Sequence, residues 1–321
     1  MATEADRDDD ADRRHPSSEF GTRRRVLKND QLEFIFVAPA IISLLALIIV
    51  PMAWSIWVSF TNLDLTVVAA TGEYVGSVNY RRLLTSGRFW NSIGNTAYYV
   101  GFGVFIQFVL GFAIALTMAN YTRGVLSRIL FTVMLLPMMM APIVAGYMWR
   151  LVFQETFGPV NYLLALAGLP TPAWLSSARW SLTSILIADV WQWTPFIVLI
   201  LYTGRLAINE DLYEAARIDG ASRWFTFRHV TVPQMKGVIA IAVLIRAMDA
   251  FKFFDKMFVM TRGGPGTSSE LATYYNYIIG FSDFHMGRAT AMSWILVLIA
   301  VILANIFLYI LERGEGGERV V

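Results

Sequence analysis

Apolar runs of about twenty residues or more alternate with short polar connectors along most of the chain. A helix rising about 1.5 Å per residue needs roughly twenty such residues to cross a hydrocarbon layer about 30 Å thick. Five runs have that length, at 34–60, 95–118, 126–153, 182–206 and 289–311. A sixth, 238–260, starts apolar and is then interrupted by Arg246, Asp249, Lys252, Asp255 and Lys256. Pro39 and Pro51 lie inside the first run and predict kinks there. The pattern predicts an all-α membrane protein with six transmembrane helices, its transmembrane domain occupying 31–312. Residues 1–30 are polar, with an Asp run at 8–10 and an Arg run at 23–25, and predict a disordered tail. A second short tail is expected at 313–321. The first run is too long for the apolar part of a secretory signal peptide and is expected to stay as a span.

Composition sharpens this picture. Of 321 residues, 56% are hydrophobic and 16% charged, against about 25% charged in a soluble domain. One soluble core could not hide six separate apolar runs. The absence of cysteine excludes disulfides and thiolate metal sites. A net charge of +2, without a basic stripe carrying interleaved aromatics, gives no reason to expect nucleic acid. His15, His229 and His285 fall far apart in the predicted topology and form no His-Glu-x-x-His pattern, so no metal site is expected. There is no Gly-x-x-x-x-Gly-Lys-Ser/Thr loop to cradle nucleotide phosphates and no Gly-x-Ser-x-Gly elbow. The chain is therefore not expected to be an enzyme, and energy for moving a solute must come from another subunit or a gradient.

Lys and Arg in the connectors set the expected orientation. Sixteen fall in the two tails and in the connectors after spans two and four, against seven on the other side: Arg81, Arg82, Arg88, Arg150, Arg179, Arg262 and Arg288. Both termini and the connector 203–236 are thus expected to be cytoplasmic. Trp54, Trp57, Trp90, Trp149, Trp174 and Trp180 fall near the outer boundaries, where amphipathic rings favour the membrane interface.

The connector 203–236 is unusually long. Asn209 suits an N-cap, Glu210 and Asp211 suit a helix's positive first turn, and Gly220 suits a left-handed C′ residue. Together they predict a helix of about ten residues. Ser222 then caps a second short helix bearing Trp224, Phe225 and Phe227, and Pro233 sits in the first turn of span five. Two readings stay open on spacing alone. The connector is an interfacial hairpin that joins two spans, or it is a docking element whose small residues allow close approach while Trp224 and Phe225 anchor a partner.

Polar groups inside spans are candidates for a solute path. Tyr98, Gln107, Asp189 and Gln192 lie in spans two and four, and Tyr and Gln suit sugar recognition, because aromatic faces stack on pyranose rings and amides bond hydroxyls. Hydrogen bonding between helices is the plainer reading, worth about 0.6–2 kcal/mol per contact. Arg246 and Asp249 stand three apart, as do Asp249 and Lys252, and Lys252 and Asp255, so these pairs meet on adjacent turns. Gly263-Gly264-Pro265-Gly266 is a turn by its chemistry.

Two stretches carry a family resemblance. Glu214-Ala-Ala, then Gly220, then Val230-x-Val232-Pro233 resembles the cytoplasmic EAA signature of permease subunits in bacterial binding-protein-dependent ABC importers. The family prefers Ile and Leu where this chain has Val230 and Val232, and often carries a second proline where it has Gly237. Further on, Phe254-Asp255, Thr261-Arg-Gly-Gly-Pro265, Phe281, Gly287, Ala289, Ala291 and Ser293 resemble the carbohydrate-type branch, with its maltose, glycerol-3-phosphate and trehalose permeases. The likeness covers about 30–312.

The resemblance implies six spans with a cytoplasmic coupling-helix hairpin between spans four and five, in a bacterial inner membrane. It implies a second permease subunit, two cytoplasmic ATPase subunits holding ATP and Mg, and an extracytoplasmic solute-binding protein, with no cofactor in this chain. Glu214, Ala215, Ala216, Asp219, Gly220, Trp224 and Phe225 would couple to the ATPase. Gly263, Gly264 and Pro265 would lie where the binding protein docks. Tyr98, Gln107, Asp189, Gln192, Arg246 and Asp249 are the candidates for the solute path. Rival readings are a gradient-driven transporter or channel, which would work without ATP, and a membrane scaffold that moves nothing.

Overall fold

The computed structural model describes residues 29–67, 72–121 and 124–315. Most of the two expected tails, and Arg123 of the positive cluster, lie outside the described residues. These residues form two units, one ending at Ala53 and one beginning at Trp54. Helix α1 (Asn29–Ser59) begins in the first and finishes in the second, continuing through both Pro39 and Pro51.

The second unit is helical. After α2 (Val78–Leu84), α3 (Gly87–Tyr121) forms the second apolar span. Then come α4 (Gly124–Met139), α5 (Pro142–Val152) and α6 (Pro159–Leu166), and α7 (Ser181–Leu206) forms another span. Two short helices, α8 (Asp211–Ile218) and α9 (Arg223–Thr226), lead into α10 (Val232–Phe251). The chain closes with α11 (Asp255–Met260), α12 (Ala272–Tyr277) and α13 (Met286–Glu315). No strand forms among the described residues; an isolated bridge pairs Thr61 with Tyr74. Among the described residues, five helical stretches are long and apolar enough to cross a membrane, and a sixth if α4 and α5 count as one broken span.

That break corrects the expectation of one helix over 126–153. The axes of α4 and α5 differ by 94°. Pro142 supplies the cause, because a proline pushes the residue before it out of helical geometry. Ala141 accordingly sits at φ −59°, ψ 133°, and α5 restarts with Pro142 in its first turn.

The fifth span also differs from its predicted bounds. Helical turns run without interruption from Arg223 to Phe251, so α9 is the first turn of the span and Pro233 lies well inside it. A π-helical turn, Phe227–Thr231, precedes the proline. Widening the helix there accommodates a residue that lacks an N–H and would crowd the carbonyl four positions back. The span stops at Phe251, and 255–260 forms the separate helix α11.

Helices α3 and α7 form the most extensive pairing in this unit. Van der Waals fit drives such contacts in lipid, where apolar burial gains little, so small residues matter. A Cβ at Gly111 would lie 2.7 Å from Cγ2 of Ile197, and only glycine permits this approach. Ala115, Ile197, Val198 and Leu201 close the same seam.

The loop 261–271 is fastened to the start of α3. Arg88 donates two hydrogen bonds to the Glu270 carboxylate at 2.8 and 2.6 Å, and Asn91 and Asn95 donate to the Thr267 and Glu270 carbonyls. Ser181, first residue of α7, meets Ser268 at 3.1 Å. The N-terminal ends of α3 and α7 thus share one loop, and the two spans run parallel, as the second and fourth of an alternating series must. Near it, the Thr66 hydroxyl and amide hold the Asp64 carboxyl below its ordinary range, and His285 contacts it at 2.7 Å. Of the six tryptophans expected at the membrane interface, Trp149, Trp174 and Trp180 pack with Phe153 in a chain of tilted and edge-on rings 5.0–5.2 Å apart.

Candidate functional site

Two of the other predicted solute-path residues and one unpredicted residue converge on Asp189. This carboxylate projects from the middle of α7 and is 1% exposed. Gln107 of α3 donates to it at 3.0 Å, and Lys256 of α11 donates at 2.8 Å. Arg246 of α10 pairs with the same carboxylate. Arg246 also donates through Nε to Gln107 Oε1 at 2.7 Å and through Nη1 to Asp249 at 3.1 Å. Lys256 reaches Gln192 Oε1 at 2.6 Å, and the Gln192 amide donates to the Met140 carbonyl at 2.8 Å. Met140 stands at the α4–α5 break, where the helix leaves carbonyls without partners.

The network therefore ties α3, α7, α10, α11 and the broken span together. Two buried cations face one buried anion, with Asp249, whose side chain is 48% exposed, as the second carboxylate. Aromatic faces add stabilisation: Trp193 lies 5.4 Å from the Arg246 guanidinium and Phe253 lies 5.2 Å from Lys256 Nζ. Buried charge is costly in isolation, and satisfying every member makes such a cluster rigid and particular to one helix arrangement. Chemically it clamps.

Among the predicted path residues, the structure joins Gln107, Asp189, Gln192, Arg246 and Asp249. Tyr98 stands apart, 46% exposed and stacked on Phe102 at 5.4 Å. The expected Arg246–Asp249 pair forms, while Lys252 makes no ion pair with Asp249 or Asp255. Lys256 was missing from the predicted set. It stands among the charges that interrupt the sixth run, but its partner Asp189 lies 67 residues earlier, beyond the reach of local spacing.

The second candidate region is the hairpin between α7 and α10. Asn209 accepts a hydrogen bond from the Asp211 amide at 3.0 Å, a turn one residue ahead of the N-cap, which is Glu210 rather than the expected Asn209, and α8 runs for eight residues. Gly220 adopts φ +74°, and the Ala221 amide reaches back to the Ala216 carbonyl at 2.9 Å, a Schellman closure. Ser222 then caps the next turn through the Phe225 amide at 3.2 Å. Inside the hairpin, Tyr213 is buried and meets Thr231 at 3.1 Å. Outside it, Ile218, Trp224 and Phe225 are 86%, 67% and 52% exposed, and Glu214, Ala215, Asp219 and Gly220 lie on the surface with them, Ala216 being half-buried. The hairpin presents an apolar tip rimmed by charged groups of both signs.

The third region is the glycine-rich turn. The Gly264 amide donates to the Thr261 carbonyl at 3.0 Å, and Ser269 Oγ donates to the Gly264 carbonyl at 2.7 Å, so Gly263, Gly264 and Pro265 form a tightly bonded loop. Among the described residues no group of three His, Asp or Glu side chains could hold a metal ion.

Comparison with known proteins identifies the family. Residues 107–315 match the family described as binding-protein-dependent transport system inner membrane component. The chain belongs to this family. The matched segment begins at Gln107 and so contains the whole clamp, the hairpin and the glycine-rich turn. A probable ABC transporter permease protein of Sinorhizobium fredii is 34% identical over 306 residues, covering 95% of this chain and 97% of that protein. The trehalose/maltose transport system permease protein MalF of Thermococcus litoralis is 33% identical, covering 86% of this chain and 93% of its own length. The trehalose transport system permease protein SugA of Mycobacterium tuberculosis is 32% identical over 90% of this chain and 91% of its own. In fold, the chain is similar to a subunit in the crystal structure of a bacterial alginate ABC transporter bound to its periplasmic protein. That likeness has a TM-score of 0.78 at 21% identity and covers 89% of this chain and 96% of that one. As an inner-membrane component of a binding-protein-dependent transport system, the chain is a multi-pass membrane protein.

Proposed function

We propose that this chain is the permease subunit of an ATP-driven importer of a sugar or sugar-like solute, working by alternating access. It pairs with a second permease subunit and two cytoplasmic ATPase subunits, which hold the ATP and Mg, and receives solute from an extracytoplasmic binding protein. Relatives at 32–33% identity named for trehalose and maltose transport support the solute class. The observation that carries the mechanism is the exposed apolar tip of the hairpin. Exposed Ile218, Trp224 and Phe225 on a short bent element ask for a protein partner.

On this reading 203–236 is the cytoplasmic coupling loop and both termini are cytoplasmic. Glu214, Ala215, Ala216, Asp219, Gly220, Trp224 and Phe225 meet the ATPase. Because α9 continues into α10 without a break, force on Trp224 and Phe225 passes straight into the fifth span. The Asp189 clamp makes α3, α7 and α10 move together, which is the rigid-body behaviour that switching between two states requires. Asp249, on the exposed edge of the clamp, and Tyr98 are where solute would touch these helices; Gln107, Asp189, Gln192 and Arg246 support that wall from behind. Gly263, Gly264 and Pro265 form the docking turn for the binding protein.

Reconstitution tests the proposal. Proteoliposomes holding this chain and the second permease are expected to take up no labelled sugar under any ion gradient. Adding the ATPase, the binding protein and ATP should start uptake. Sugar uptake driven by a gradient alone would refute the reading.

A further inference from the structure

A cavity of about 450 Å³ lies between the C-terminal end of α3, the end of α7 and the hairpin. Its lining is basic. Arg205, Arg217 and Arg223 face it together with Asn120 and Tyr121, and no carboxylate lines it among the described residues. Leu116 and Phe227 supply an apolar wall.

Arg205 is the buried member, 7% exposed, with its guanidinium 4.0 Å from the Tyr213 ring centre. Its carboxylate contact, Glu210, is long at 3.4 Å, and the Glu210 side chain is 70% exposed, so water screens the pair. Arg223 makes a similarly long contact of 3.4 Å to the Tyr121 hydroxyl, and among the described residues Arg217 makes no ion pair. Three guanidinium groups around one cavity, with a single screened counter-charge, repel one another in a partly desolvated space. An anion placed among them removes that repulsion and takes up donors that now bond weakly or not at all.

Geometry narrows the kind of anion. Guanidinium groups suit the tetrahedral oxygens of phosphate, and a cavity of this size holds a phosphate with its ester substituent. The cavity opens where α3 and α7 end, and the ends of spans are where a chain meets lipid headgroups. We propose that it is a binding site for a phosphate-bearing anion, supplied either as an anionic lipid headgroup or free in solution. The bound phosphate joins Arg217 and Arg223 of the hairpin to Arg205 and Tyr121 of the spans, and the apolar wall accepts the first methylenes of a lipid's acyl chains.

Native mass spectrometry of the full chain in a neutral detergent tests this. Phosphatidylglycerol, phosphatidylcholine and inorganic phosphate are added in separate arms. Retention of phosphatidylglycerol over phosphatidylcholine assigns a lipid source, and retention of inorganic phosphate alone assigns a soluble one. In either case the double variant Arg217→Gln with Arg223→Gln, whose changes fall on exposed side chains, should reduce retention about tenfold. The charge-keeping pair Arg217→Lys with Arg223→Lys should keep most of it. The proposal is overturned if no arm shows retention, if phosphatidylcholine is held as well as phosphatidylglycerol, or if the Gln variant binds like the parent.

Discussion

Asp189 accepts hydrogen bonds from three helices at once and is the counter-charge for both Arg246 and Lys256. Asp189→Ala would leave two buried cations facing each other, with the half-exposed Asp249 alone to balance them. Removing one partner from such a cluster costs about 3–5 kcal/mol. The variant should therefore melt well below the parent in detergent, and an unchanged melting temperature would show that the cluster is not a clamp. Gly220 matters for a different reason. Its backbone lies at φ +74° with open space around it, so a side chain there meets no clash, only backbone strain. Gly220→Val should cost the hairpin about 1–2 kcal/mol, read as faster amide exchange across 211–226 with the spans unaffected. The role of Gly220 was legible from its place after a capped amphipathic stretch. The partnership of Lys256 was not, because it depends on how α11 folds back against α7.

At the scale of elements, the hairpin and the fifth span are one mechanical piece. The Ser222 cap, the π turn and Pro233 form consecutive parts of a helix that runs from the exposed tip into the bundle. Trp224 and Phe225 contribute mainly rings to the surface, so replacing both with Ala should change stability by no more than about 0.5 kcal/mol. Recovery of the ATPase subunit by pull-down should nevertheless fall about tenfold or more, as expected when aromatic anchors are truncated. Full recovery would remove the coupling role. The broken third span offers a contrast. Pro142 stands in the sequence, yet a proline alone is compatible with a kinked but continuous helix. Here Pro142 turns the chain by 94°, and Gln192 from a neighbouring span satisfies the Met140 carbonyl that the break frees.

For the whole molecule, charge asymmetry predicts which ends face the cytoplasm, and the parallel course of α3 and α7 agrees with alternating spans. The chain has no cysteine, so single introduced thiols report sidedness cleanly. Ile218→Cys, at an 86% exposed position of the hairpin, should react with an impermeant maleimide only from the cytoplasmic side. Thr85→Cys, exposed between α2 and α3, should react only from the other side. Labelling of both from the same side would overturn the orientation.

The sequence by itself determined the class of the protein, the positions of most spans, and the capped hairpin with its aromatic tip. Those features rest on local quantities: run length, turn chemistry and residue spacing. Tertiary structure decided which charges neutralise which, where the third span turns, and how far the fifth extends. Each of those depends on the rotational phase and mutual approach of helices far apart in the chain, as at Gly111 against Ile197 and at Asp189 among its partners. Spacing along one helix sets which residues share a face, and packing alone sets what that face meets.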